Sequence, residues 1–354
     1  MPALTTQTLA TAENEMQVLA ENEYTAINRR LWWPLLGKVL PALSRMATVS
    51  WLLTTVRLKV THGASFDDLA TQHTEITPDP INTSLRLTRE QWEDSRDSGS
   101  TISGSEGIDL ALQWSEQAAG AIAYWPQEQA AKILRLGHLT EANGGFNAYT
   151  GKAFFAKDHP LDPYNAAAGT FANLLEGAAD GDYPGACPID VSVTLEVARE
   201  NLGKVYAHIG GIKLPDAQGF RCLRPKALLV PPKLYPRAQA LCASMSIAAI
   251  TPAPDATFAE LVTQAAALGN VVPAMAGELS GFESETSYFV ICEQVESSQL
   301  AAMVMLEREA FAIAYYGDKT GAEAARLREL EWHVFGRAKV ATGHPHQLMK
   351  VKAS

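Results

Sequence analysis

Cysteine is scarce in this sequence, and the few cysteines stand far apart. Four occur among 354 residues, at positions 187, 222, 242 and 292, and none forms a CxxC pair. This spacing disfavours a four-cysteine zinc site and a small disulfide scaffold. Reduced, mostly buried thiols are typical of cytoplasmic proteins, and we expect the chain to be one.

The sequence also lacks a long apolar run. Its most apolar segment, residues 31–43, spans 13 positions and contains Lys38, Pro34 and Pro41. A membrane-spanning helix needs about 20 apolar residues. The first residues have neither the positive region nor the apolar run of a secretory signal. We therefore expect no membrane association.

Basic residues are fewer than acidic ones. Lys and Arg number 29 against 39 Asp and Glu, which gives a net charge of −10. Proteins whose main task is to grip nucleic-acid phosphates are usually basic, so that class is disfavoured. A protein that encloses DNA without gripping it is not excluded. The 47% hydrophobic and 19% charged content indicates a globular protein, and the length suggests about two domains.

Strong enzyme motifs are missing as well. Neither GxGxxG nor GxSxG occurs, which removes support for a dinucleotide loop or a hydrolase nucleophile elbow. Gly145 to Lys152 superficially resembles a phosphate loop, but its spacing is wrong. Ala153 also replaces the Ser or Thr that would hold magnesium.

Two histidine patterns remain, and we interpret both as structural. His344 and His346 form an HxH pair without a nearby acidic or cysteine ligand in sequence. Asp158 and His159 precede a proline, where a turn is more common than an acid–imidazole pair. The sequence therefore predicts no catalytic residue, no metal ligand and no cofactor.

Hydrophobic periodicity predicts the main elements. Residues 105–137 have helical spacing, with Trp114 and Ile122 as core candidates and Pro126 as a kink or break. Residues 190–300 alternate helix and strand. Residues 330–340 alternate strictly, which predicts a strand with Trp332 on its buried face and Arg337 on the other.

The first 88 residues divide into two regions. In residues 1–46 the acidic side chains come before the basic ones, and the spacing fits either a surface helix or an arm lying on a neighbouring subunit. The adjacent Trp32 and Trp33 are expected to be buried somewhere. Residues 47–88 predict two strands that flank a long functional loop.

Several segments resemble the tailed-phage major capsid proteins, and specifically the Mu-like major head subunit (gpT) family. The most specific is Tyr-Thr-Gly-Lys-Ala-Phe-Phe-Ala-Lys-Asp-His-Pro at 149–160, where Thr150 departs from the family's Asp. The others are Leu-Thr-Arg-Glu-Gln-Trp-Glu-Asp at 87–94, Leu-Arg-Pro-Lys-Ala-Leu-Leu-Val-Pro-Pro at 223–232, and residues 331–337 and 343–352. The resemblance covers residue 87 to the end; residues 1–86 are similar only in layout.

The resemblance implies an α+β fold of the Hong Kong 97 type, also called the Johnson fold. The expected order is an N-terminal arm (1–46), an extended loop with flanking strands (47–88) and a peripheral domain with a long spine helix and sheet (89–188). An axial α/β domain (189–300) follows, and residues 301–354 return to the peripheral sheet and form a C-terminal strand. The extended loop, at about residues 55–86, is expected to lie across an adjacent subunit.

The function implied is that of a major capsid protein, not an enzyme, that self-assembles into hexamers and pentamers of an icosahedral shell. The shell encloses double-stranded DNA without sequence-specific binding, and a portal and a separate scaffold protein are expected partners. Its location would be the virion capsid, assembled in the host cytoplasm. Candidate subunit contacts are Trp32, Trp33, Arg57, Lys59 and Arg337. Alternatives are the shell of a cellular nanocompartment of the same fold and an α/β enzyme.

Overall fold

The structure of the chain is a computed structural model. It describes residues 6–52, 71–88, 90–91, 110–161, 167, 169–181, 183–212, 223–245, 258, 270–294, 301–316 and 329–353. The architecture is mixed α+β. The α-helices of the described residues are α1 (Thr6–Asn28), α2 (Trp33–Leu36), α3 (Leu110–Leu136), α4 (Leu195–Gly211) and α5 (Tyr235–Met245).

Most described strands belong to two sheets of four and five strands, and two small hairpins account for the others. The strands are β1 (Gly37–Pro41), β2 (Ala47–Leu52), β3 (Thr71–Ile76), β4 (Asp79–Thr88), β5 (His159–Pro160), β6 (Thr170–Phe171), β7 (Leu174–Leu175), β8 (Leu223–Val230), β9 (Val272–Met275), β10 (Tyr288–Gln294), β11 (Met303–Tyr316), β12 (Glu329–Thr342) and β13 (Leu348–Val351).

The four-stranded sheet has the order β1-β11-β12-β4. Strand β1 runs parallel to β11, and the other neighbours are antiparallel. The predicted alternation of β12 is confirmed, because its even-numbered residues from 330 to 340 are buried and the odd-numbered ones are half-buried. Trp332 lies opposite Leu85 of β4 on one side and Tyr315 of β11 on the other.

Helices α1 and α3 cover one face of this sheet. Ala12, Met16 and Ala20 of α1 are buried in the same cluster as Ala119 of α3 and Trp332 of β12. The buried side of α1 thus lies on the chain's own long helix, which favours the surface-helix interpretation over an arm that reaches a neighbour. Residues 37–41, placed in the expected arm, form the edge strand β1 instead.

The long helix was predicted with a kink or break at Pro126, and the break is wrong. Helix α3 runs through Pro126 as one element of 27 residues. An internal proline costs a helix about 3 kcal/mol. Buried side chains on both sides of it, including Ala123, Ala130 and Ile133, hold the helix against the core and offset that cost.

Part of the expected extended loop with its flanking strands, residues 47–88, is described. Residues 79–88 form β4, which pairs along its whole length with β12 of the same chain. This part of the expected loop is therefore an edge strand of the four-stranded sheet. Strands β2 and β3 form an antiparallel hairpin, and residues 53–70 between them are outside the described residues.

The five-stranded sheet has the order β7-β13-β10-β8-β9. Helices α4 and α5 pack against it through buried aliphatic residues such as Leu202 and Leu241. The C-terminal strand β13 lies inside this sheet, between β7 and β10, not in the four-stranded one. A shared core joins the sheets, since Phe289 of β10 and Met303 of β11 belong to one buried cluster.

Candidate functional site

Residues 149–160 lie at the junction between the two sheets. Phe154 and Phe155 are fully buried, with ring centroids 5.0 Å apart. Phe155 also contacts Phe289 of β10 at 5.7 Å. A positive φ of 77° at Gly151 lets the chain turn so that both phenylalanines point inward. The segment therefore packs two phenylalanine rings into the core where the sheets meet.

Asn173 connects residues 149–160 to the C-terminal segment by hydrogen bonds. Its side-chain amide donates to the Phe154 and Pro345 carbonyl oxygens at 2.8 and 2.9 Å, and its Oδ1 accepts from the Ala156 N–H at 2.9 Å. The backbone carbonyl of Asn173 accepts from the Lys350 N–H. The two bonds that the side-chain amide donates are buried, and together the four bonds hold separate chain segments in one geometry.

His159 does not form an acid–imidazole pair with Asp158. Its Nε2 donates to the Phe154 carbonyl oxygen at 3.2 Å, so its Nδ1 accepts from the Thr150 hydroxyl at 2.9 Å. Asp158 pairs with Lys152 instead. Burial lowers the pKa of His159 to about 4, which leaves the imidazole neutral near pH 7. This supports the structural interpretation of the pair.

His344 and His346 are buried close to His159. Their ring centroids are 5.0 Å apart, and His344 also meets the ring of Tyr149 at 5.8 Å. Phe171 stacks on His159 and contacts His346 at its edge. Burial lowers the pKa of His346 to about 4 and holds the pKa of His344 well below its ordinary value. The HxH pair is therefore part of an aromatic core.

Within the described ranges, no three His, Cys, Asp or Glu side chains are grouped closely enough to hold a metal ion. The three cysteines in those ranges are buried thiols, and burial raises the pKa of Cys242 to about 12. Among the described helices, none has the length and apolar character needed to cross a membrane.

Lys350 is the most unusual buried charge. Its side chain is 0% exposed, and its Nζ donates to Glu283 Oε1 at 2.7 Å. The ammonium also lies 4.7 Å from the centre of the Phe282 ring and within 6 Å of Phe155 and Phe289. Burial lowers the pKa of Lys350, while the carboxylate opposes that effect. The sequence does contain a sign of this buried charge, because Lys350 is a single lysine within the otherwise apolar strand β13.

Trp32 and Trp33 were expected at subunit contacts, and the structure corrects this. Both are buried inside the chain's own core. Their backbone N–H groups lie 3.0 and 3.4 Å from the Gln127 Oε1 acceptor on α3, and the Trp32 indole donates to Glu278. Both indole side chains are therefore covered by the chain's own residues.

Arg337 occupies the half-exposed face of β12, as its phase predicts. Its Nε lies 3.6 Å from Glu309 Oε2, and its guanidinium is 5.5 Å from the centre of the Phe335 ring. Arg57 and Lys59, the other two expected contacts, lie outside the described residues.

The three core candidates occupy one cluster between α3 and the four-stranded sheet. Trp332 is 0% exposed, and Trp114 and Ile122 pack against the cluster as half-buried side chains. The indole of Trp332 meets the Tyr315 ring edge-on at 5.6 Å. Trp332 is thus the centre of this core, with the two helix residues at its margin.

No protein-family model and no curated protein matches the sequence. Among solved structures, the chain is similar to one in the procapsid of bacteriophage JBD30, with 15% identity, a TM-score of 0.49 and coverage of 100% of this chain and 76% of that one. It is similar to a chain in the JBD30 capsid, with 12% identity, a TM-score of 0.42 and coverage of 91% and 64%. It is also similar to the virus-like particle of Pyrococcus furiosus, with 8% identity, a TM-score of 0.48 and coverage of 96% and 98%.

Every one of these identities is below 25%, and every TM-score is below 0.5. The chain also spans less than two thirds of the JBD30 capsid chain. We therefore base the functional proposal on the residues and contacts of this chain.

Proposed function

We propose that the chain is the major capsid protein of a tailed phage or prophage. In this proposal it assembles into hexamers and pentamers of a closed icosahedral shell around double-stranded DNA. It acts as a structural subunit, and the finer assignment is to the Mu-like major head subunit family.

The observation that carries this proposal is the convergence of three segments that resemble that family. Residues 149–160, 223–232 and 343–352 are far apart in sequence, yet Phe155, Leu229 and Leu348 lie in one buried cluster. Segments that resemble one family and also build one core are expected when the whole fold is shared.

The sequence of elements adds support. A long helix on a mostly antiparallel sheet is followed by a second sheet with its own two helices, and the chain then returns to the first sheet through β11 and β12. This order agrees with the one that the resemblance implies as far as β12, whereas β13 lies in the five-stranded sheet and departs from it. We propose that the four-stranded sheet with α3 is the peripheral domain, and that the five-stranded sheet with α4 and α5 is the axial one.

Charge is compatible with DNA enclosure. The net charge of −10 disfavours tight binding to phosphates, which would impede the entry and release of a packaged genome. We propose that a portal and a separate scaffold protein complete the assembly, and that assembly takes place in the host cytoplasm.

Electron microscopy and analytical ultracentrifugation of the purified protein test the proposal. We expect capsomers or closed shells, alone or after co-expression with a candidate scaffold. A protein that stays monomeric under both conditions would show the proposal to be wrong. Shells that carry a co-purified enzyme and no DNA would instead favour the nanocompartment alternative.

A further inference from the structure

Two exposed apolar patches of opposite charge stand out on the described surface. The first, which we call the basic tip, follows the edge strand β1. Leu43 is 99% exposed at its apex, and Val39 and Met46 flank it. Lys38 and Arg45 are the charged residues of positions 37–46, so the tip carries two positive charges.

The second, which we call the acidic patch, surrounds the start of α4. Val191 is 84% exposed, and Leu195 and Val197 are each more than 40% exposed. The charged residues of positions 190–200 are Asp190, Glu196, Arg199 and Glu200, which leaves two net negative charges. Exposed aliphatic side chains that adjoin one another, rimmed by charged residues, are typical of interaction surfaces.

The acidic patch is rigid. The Arg237 side chain donates to the carbonyl oxygens of Ile189 and Val193, at 2.6 Å to the former. Thr194 then caps α4, because its hydroxyl oxygen accepts from the Val197 N–H. A surface held in this way loses little conformational entropy when a partner binds.

Glu196 and Arg45 are the charges best placed to meet a partner. Neither of them forms an ion pair with any described residue, whereas Glu200 is paired with Lys204 and Asp190 accepts from Ser192. Because the tip adjoins the four-stranded sheet and the acidic patch adjoins the five-stranded one, joining them between copies is a head-to-tail contact. Such contacts close into rings when the rotation allows it.

We infer that the basic tip of one subunit binds the acidic patch of a second copy of this chain, with Leu43 against Val191 and Leu195, and Arg45 facing Glu196. This inference rests on the proposed function and names one contact by which that shell would form. Opposite charges at its rim fix the register, and burial of the aliphatic groups supplies affinity.

Charge reversal provides the test. We expect Arg45→Glu and Glu196→Arg each to lower the yield of capsomers or shells at least tenfold near physiological salt. The double variant Arg45→Glu/Glu196→Arg is expected to restore most of the yield, since it exchanges the two charges. Glu116→Arg, on the exposed side of α3, is the matched control and should assemble like the unaltered protein.

The outcomes separate this inference from the proposed function. If the unaltered protein forms shells and either single reversal leaves the yield unchanged, the inferred contact is wrong and the proposed function stands. The same holds if the double variant fails to recover. If the unaltered protein never assembles, both fail. Because both side chains are exposed, thermal melting should show all variants folded.

A covalent test is independent of charge. We expect the double variant Leu43→Cys/Val191→Cys to form a ladder of disulfide-linked oligomers under mild oxidation, and each single variant to form none beyond dimers. The native cysteines at 187, 242 and 292 are buried and should not contribute, and Cys222 is replaced by Ser in every variant, including the control. Absence of the ladder in assembled particles would overturn the contact.

Discussion

The ammonium group of Lys350 and the carboxylate of Glu283 form a salt bridge of 2.7 Å inside a box of three phenylalanine rings. Glu283 has a φ of 44°, in the left-handed region that residues other than glycine seldom adopt. The contacts around the pair outweigh this backbone strain. The salt bridge thus joins strand β13 to the loop before β10.

We expect Lys350→Met to lower the free energy of unfolding by about 3 kcal/mol, because it leaves the Glu283 carboxylate without its partner cation in a largely apolar site. The double variant Lys350→Met/Glu283→Gln should recover most of that loss. Urea denaturation measures both. Lys352→Met, which removes a more exposed pair with Glu176, is the control and should cost less than about 1 kcal/mol.

Acid should destabilise the subunit through its buried imidazoles. The folded-state pKa values of His159 and His346 are about 4, below the ordinary value near 6.5. The unfolded chain therefore binds more protons between these two pH values. The contribution of these two imidazoles to the free energy of unfolding is complete above about pH 6.5 and is lost as the pH falls towards 4. Urea midpoints measured at several pH values will report the slope.

The charged groups near this cluster are Asp158 and Lys152, which neutralise each other. Neither ring nitrogen of His346 has a hydrogen-bond partner among the described residues. We expect His346→Leu to fold and to have a shallower pH slope than the unaltered protein. An unchanged slope would show that other groups cause the acid sensitivity.

Trp332 should be indispensable for folding. Truncation of a fully buried Trp to Ala typically costs about 3–5 kcal/mol, because it removes apolar contact and leaves a cavity. We expect Trp332→Ala to be largely insoluble. Arg337→Ala, on the half-exposed face of β12, should keep normal solubility. A comparison of the soluble yields of the two variants tests whether Trp332 and Arg337 lie on opposite faces of the strand.

Two glycines should respond to alanine in opposite directions. A Cβ at Gly336 would lie 2.6 Å from the Phe311 ring, so Gly336→Ala should destabilise the sheet by about 1–3 kcal/mol. A Cβ at Gly203, on α4, would meet nothing within 4 Å. Gly203→Ala should therefore stabilise by about 0.5–1 kcal/mol, since alanine is the better helix former. Thermal unfolding can compare the two.

Sequence reasoning succeeds here where one face of an element is buried. Strand β12 is an example, because its inner residues contact the helical layer and its outer ones do not, which imposes period two. The end of strand β8 shows a related effect, because burial on both faces leaves an uninterrupted apolar run at residues 227–230.

Other features depend on partners far away in sequence. Strand β4 lies in the four-stranded sheet because β12, some 240 positions later, offers it a complete ladder. Residues 79–88 contain no local pattern that predicts this pairing. The charge on Lys350 is likewise tolerated only because Glu283 and three rings surround it, and those residues are not neighbours in the chain.

The place of β13 bears on how the protein is made. Strand β13 is an inner strand of its sheet, so β7 and β10 remain separated until residues 348–351 have left the ribosome. The other four strands of this sheet all precede β13 in the chain. A chain that has not yet reached residue 348 therefore lacks a continuous hydrogen-bonded ladder from β7 to β10, and the five-stranded sheet forms in two stages.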